Sequence, residues 1–150
     1  MSERVHAFVG FVADFPALES GGDPNGKELA DFVYAKYSKV GLVLSPPSDN
    51  GWAWDLHTRV DELDIYTIVG EVGDMNSNPP RQWLVTNDCR IPIFRRLFGR
   101  VAFEKKREFA LRKLCECLHA AMTNDSRFSH INWYDAATFD KPGDVPSNKP

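Results

Sequence analysis

Apolar residues recur along this chain with two periods, and the switches between them mark out its elements. Val5, Phe8, Val9, Phe11 and Val12 form a nearly continuous β-type run, which predicts a first strand central in a sheet or buried on both faces. Leu29, Phe32, Val33, Tyr37 and Val40 recur at spacings of three and four, which predicts an amphipathic helix from Lys27 to Val40. Gly41 stands where a left-handed cap would end it. The period then falls to two. Leu42 to Leu44 is a short apolar run stopped by the turn-forming SPPSDNG. In GWAWDLHTRV, Trp52, Trp54 and Leu56 alternate with Asp55, His57 and Arg59, which places the tryptophans on the helix-facing side. After a turn around VDELD, Ile65 to Val72 and Gln82 to Thr86 are further strand candidates. From Phe103 to Met122 helical spacing returns through Arg107, Leu111, Leu114, Leu118 and Met122, and HINWYD supplies a last short strand. Asn87 to Arg100 shows an apolar-basic alternation around Pro92 that fits a strand, a loop or a broken helix.

The order β-α-β-β-β-β-α-β predicts an α+β fold, with a mostly antiparallel sheet of four to six strands and two main helices packed on one face. A chain of 150 residues is long enough to bury well over half of its unfolded surface as one domain. That domain is expected to span residues 1–138. The proline-rich DKPGDVPSNKP predicts a flexible C-terminal tail over residues 139–150.

Composition narrows the class without naming a function. Apolar residues make up 43% and charged residues 26%, a balance that supports a folded core. No segment approaches the ~20 apolar residues that span a bilayer. The opening residues lack a signal-peptide pattern. Cys89, Cys115 and Cys117 suit reduced thiols better than a disulfide framework, so the expected location is cytoplasmic.

The net charge of −3 conceals two opposed segments. Arg95, Arg96, Arg100, Lys105, Lys106, Arg107, Arg112 and Lys113 face only Glu104 and Glu108, a local balance of +6. Asp49, Asp55, Asp61, Glu62, Asp64, Glu71 and Asp74 face only Arg59, a local balance of −6. Such segments either steer a charged partner or neutralise each other within the fold.

The motifs that carry chemistry are thin. Asp55, His57 and Arg59 share one strand face, but residues two apart sit roughly 6.5 to 7 Å from each other, too far for a direct dyad. His57 would need a carboxylate from a neighbouring strand, with Glu71 as a candidate beside Asp55. ESGGDPNGKE precedes a helix but places Glu28 where a phosphate loop needs Ser or Thr. Cys115 and Cys117 point to different sides of a helix and do not share a metal, and His6 and His130 read as structural. No cofactor or metal is expected.

The leading expectation is a small non-catalytic protein that binds a macromolecular partner, most simply a protein, through Asp55, His57, Arg59, Asp61, Glu62, Asp64 and Asp74. By fold analogy alone, small α+β proteins of this kind include toxin-neutralising immunity proteins and other inhibitors. One alternative is a hydrolase-type enzyme using His57 with Asp55 or Glu71. The other is a weak nucleic-acid binder using Arg95, Arg96, Arg100, Lys105, Lys106 and Arg107, with Phe94, Phe98 and Phe103 between them as stacking groups.

Overall fold

In the computed structural model, which describes residues 5–15, 26–72, 81–89, 99–137, 139 and 146–150, the period-two segments pair into one antiparallel sheet. Its strands are β1 (Phe8–Ala13), β2 (Leu42–Asp49), β3 (Trp54–Val60), β4 (Leu63–Val72), β5 (Arg81–Cys89) and β6 (Phe128–Tyr134). They lie in the order β2-β3-β4-β5-β1-β6, so β2 to β5 form the expected meander and β1 inserts between β5 and β6. The helices are α1 (Lys27–Tyr37), packed over β2 and β3, and α2 (Arg100–Thr123), packed over β4, β5 and β6. The architecture is α+β with the expected element order.

Alternation along each strand decides what the helices cover. Val9, Phe11 and Ala13 of β1, Trp54, Leu56 and Val60 of β3, Ile65 and Val69 of β4, and Trp83 and Val85 of β5 are buried on the helix side. There they meet Leu29 and Val33 of α1 and Leu111, Leu114, Leu118 and Met122 of α2. Burying each large apolar side chain contributes roughly 1.5–3 kcal/mol. Neither α1 nor α2 covers the other face of the sheet.

Three polar residues, Thr58, Thr67 and Asn87, sit within this apolar side. Asn87 makes a hub. Its Oδ1 accepts from the Tyr37 hydroxyl of α1 (2.6 Å) and from Thr67 Oγ1 of β4 (2.8 Å). Its Nδ2 donates to the Ala7 carbonyl (3.0 Å) and lies 3.9 Å from Cys115 Sγ of α2. Burial, with Cys115 nearby, pushes the Tyr37 phenol well above its ordinary value, so it stays a donor. The Thr58 hydroxyl, in contrast, is buried with no partner among the described residues.

Four local expectations, on the end of α1, Gly41, β2 and Trp52, are corrected. Helix α1 ends at Tyr37 rather than Val40, and Ser38 to Val40 turn back onto its last carbonyls. Gly41 is not left-handed; a Cβ there would meet the Arg59 carbonyl oxygen at 2.6 Å, so glycine serves a close approach to β3. Strand β2 runs through Pro46 and Pro47 instead of stopping at them. It is an edge strand, where a missing N–H costs nothing on the open side, and its register to β3 shifts twice. Trp52 is not helix-facing. It precedes β3 in a turn held by Asn50 Oδ1, which accepts from the Trp52 and Ala53 backbone amides, and the alternation begins only at Trp54. Of the segment expected as a tail, residues 140–145 lie outside the described residues. Phe139 packs edge-on against Phe8 and Tyr134, and Ser147 exchanges two backbone hydrogen bonds with Trp133 of β6.

The β3–β4 connection is a two-residue hairpin, Asp61-Glu62, both at positive φ (51° and 68°), with Val60 facing Leu63. Glycine and asparagine fill such turns without strain, whereas a left-handed L-residue costs roughly 1–2 kcal/mol. Asp61 gains an ion pair with Lys113 of α2 (2.9 Å), but Glu62 is exposed and gains no such anchor. Glu62→Gly should therefore stabilise the protein by about 0.5–1 kcal/mol after the entropy lost by glycine is subtracted, a rise of roughly 1–3 °C in melting temperature. Asn87→Ala should cost roughly 2–4 kcal/mol in urea unfolding because it strands two buried hydroxyls, the Ala7 carbonyl keeping the residue 87 backbone N–H, while Tyr37→Phe, which leaves Thr67 donating to Asn87, should cost about 1 kcal/mol. Equal costs for the two variants would show that Asn87 is not the hub.

Candidate functional site

The register of β3 against β4 determines which groups share the open face. His57 faces Tyr66, Arg59 faces Asp64 and Asp55 faces Ile68. His57 Nε2–H donates to Asp64 Oδ1 at 3.0 Å, and Arg59 Nε donates to the same oxygen at 3.0 Å. The imidazole stacks on the Tyr66 ring, with centroids 4.6 Å apart and 18° between planes. Its side chain is 27% exposed, which leaves the edge of the ring accessible. Beside it, Ser45, Ser48, Asp55 and Tyr66 line a recess of ≈300 Å³.

Desolvation works against the charged form of Asp64, but the hydrogen bonds from His57 and Arg59 and the Arg59 charge outweigh it, so its carboxyl sits below the ordinary value. The anion is held by two partners at once. A carboxylate fixed in this way orients the imidazole and the guanidinium and is a poor free base.

The expected acid–base pairings are not formed. Asp55 instead accepts from Asn50 Nδ2 at 2.8 Å, which ties it to the β2–β3 turn. Glu71 has the same parity on β4 as buried Val69 and lies on the helix side of the sheet, opposite His57. Of the expected partner-binding residues, Asp55, His57, Arg59 and Asp64 come together on one face. Asp61 and Glu62 form the hairpin tip, with Asp61 turned to α2, and Asp74 lies outside the described residues.

The basic segment is partly consumed internally. Arg107 Nε donates to the Cys89 carbonyl (2.9 Å), and its guanidinium approaches Glu104 (3.4 Å) and Asp88 (3.7 Å), tethering α2 to the end of β5. Lys113 pairs with Asp61. Lys105 and Lys106 are exposed, while Arg95, Arg96, Phe94, Phe98 and the Arg100 side chain lie outside what is described. The cysteines offer no activated nucleophile. Burial pushes the Cys89 thiol up to about 11 and raises Cys115 further, and Cys117, also raised by burial, lies 3.5 Å from the Lys36 carbonyl. Among the described residues, no three His, Cys, Asp or Glu side chains converge as a metal set, and no helix is long and apolar enough to cross a membrane.

Sequence reasoning missed Asp64 as the partner of His57, although the hairpin rule could have found it. A two-residue loop at Asp61-Glu62 forces His57 opposite Tyr66 and Arg59 opposite Asp64. It also missed the large apolar groups left on the open face. Trp52 is 68% exposed, its ring lying over Gly70, where a Cβ would come within 3.6 Å of it. Tyr66 and Val72 are exposed as well. No protein-family model matches the chain, and neither a curated protein nor a solved structure shows significant similarity to it.

Because the folded state holds Asp64 below its ordinary value of 3.8, its contribution to stability is complete above that value and is lost as pH falls through the folded value. Urea midpoints measured from neutral pH down past 3.8 should decline for the wild type, and Asp64→Asn should flatten part of that decline. An identical acid-side profile in the variant would remove Asp64 as its source.

Proposed function

We propose that this is a non-catalytic protein that recognises a protein partner through the open face of its sheet, centred on the β3–β4 ladder. The observation that carries this reading is Trp52, a large aromatic left 68% exposed at one end of a row that continues through Asp55 and Ile68, His57 and Tyr66, to Arg59 and Asp64. Tryptophan, tyrosine and arginine are the residues that most often dominate binding energy at interfaces. Here Tyr66 and Arg59 stand on strands and Trp52 on the turn that Asn50 closes, with Arg59 and His57 pre-positioned by Asp64, so less side-chain entropy remains to be lost on association.

The scale of the face supports the same reading. Successive outward positions on a strand are spaced by roughly 6.5–7 Å, so the row runs for about 20 Å. A standard interface covers about 800 Å² on each partner, which requires the flanking positions of β2 and β5 as well. The open-face positions of β2 and β5 stand beside the row in the sheet order.

The double engagement of Asp64 and the raised thiols favour recognition over acid–base or nucleophilic chemistry. Affinity capture from source cells, followed by titration of the purified partner, tests the proposal. Trp52→Ala and Arg59→Ala should each weaken binding by about 2 kcal/mol or more, roughly thirtyfold, with melting temperatures near wild type. Lys105→Ala and Lys106→Ala should leave it unchanged. Wild-type affinity in both Trp52→Ala and Arg59→Ala would refute the assigned face.

A further inference from the structure

A second recess, of ≈330 Å³, lies at the other end of the open face, over β5, β1 and β6. Gly10 forms part of its floor, Gln82 and Asn132 stand on the strands either side of β1, Tyr134 and Phe139 make an aromatic wall, and His130 lines the rim. It shares no lining residue with the recess beside His57.

His130 is the anomaly. Gly10 pairs with Asn132 and Val12 with Ser129, so β6 sets His130 and Ile131 opposite the single residue Phe11. His130 absorbs the bulge at φ 52°, a conformation that L side chains rarely adopt. Bulges re-aim side chains, and strain of this kind clusters where ligands are held. Glycine would make the same bulge without strain. The strained backbone therefore presents an imidazole that the fold itself does not require.

We propose that this recess binds a neutral saccharide of one or two hexose units. Among the described residues, its lining holds no carboxylate, ammonium or guanidinium to select a charged ligand. Gln82, Asn132, His130 and Tyr134 can each donate and accept, which matches hydroxyl groups that do both. Internal bonds leave capacity free: Asn132 Nδ2 donates to the His130 carbonyl at 3.2 Å, which leaves its second N–H and Oδ1, and His130 Nδ1 meets Ser129 Oγ at 3.2 Å, which leaves Nε2. Tyr134 and Phe139 meet edge to face, at 5.2 Å and 72°, so they form no parallel slot for a flat heterocycle. One ring face beside amide groups suits the C–H face of a pyranose. The volume lies at the lower end of the range for ligand pockets, about 300–1,000 Å³, which sets the small size of the occupant.

This proposal rests on none of the residues in the row from Trp52 to Asp64 and has its own test. Amide chemical shifts of the full chain are followed as maltose, cellobiose and lactose are added separately, with adenosine and inorganic phosphate as controls. Saturable shifts centred on Gly10 and Asn132 with at least one disaccharide, weakened about tenfold in Gln82→Ala and in His130→Gly, are expected. His130→Gly should melt no lower than the wild type, because glycine relieves the bulge, so loss of binding there cannot be put down to unfolding. The absence of saturable shifts with every disaccharide, wild-type affinity in both variants, or binding of adenosine or phosphate in place of sugar would each overturn it.

Discussion

The fold turns on one buried amide. Asn87 is held from four directions, by Tyr37 of α1, Thr67 of β4, the Ala7 carbonyl ahead of β1 and Cys115 of α2. No apolar side chain could do this, because an apolar contact tolerates a shift of an ångström and a hydrogen bond does not. A two-residue slip of β5 would keep the apolar alternation yet carry Asn87 away from Thr67, its partner across the ladder. The amide thus selects one register among the several that hydrophobic alternation alone would permit. Both helices report to that register, since Tyr37 and Cys115 reach the same side chain.

With the helix side fixed, the other side of the sheet is fixed by default, and its charges prove to be arranged rather than scattered. The opposed segments of the sequence meet in one pair, Lys113 with Asp61, while Arg107 turns to Asp88 and Arg59 to Asp64 of its own segment. Exposed ion pairs of this kind contribute little to stability, typically below about 1 kcal/mol each. Their effect is local, each setting one charge against its opposite within 4 Å.

What the sequence made legible follows from which forces leave a periodic trace. Helix–sheet order, the meander and the buried side of β3 from Trp54 onward were readable because burial repeats every two or 3.6 residues. The position of Trp52 was not, because the same alternation extends one step into a turn that Asn50 closes with its side chain. The pairing of His57 with Asp64 was hidden by an Asp-Glu hairpin tip, since the usual signature of such a turn is Asn-Gly. The run of β2 through Pro46 and Pro47 was hidden for another reason: a proline ends a central strand and is tolerated at an edge, and edge status depends on the whole sheet. The bulge at His130 leaves no trace in local composition.

The two borders of the sheet are closed to further strands by different means. On β2, two prolines and two register shifts interrupt the row of free amides. On β6, the bulge at His130 breaks the border and Ser147 of the same chain occupies the backbone of Trp133. Growth of the sheet sideways, the geometry that yields fibres and strand-exchanged oligomers, is therefore frustrated at both ends. Association through the sheet is therefore left to its open face, an encounter of finite stoichiometry rather than open-ended assembly.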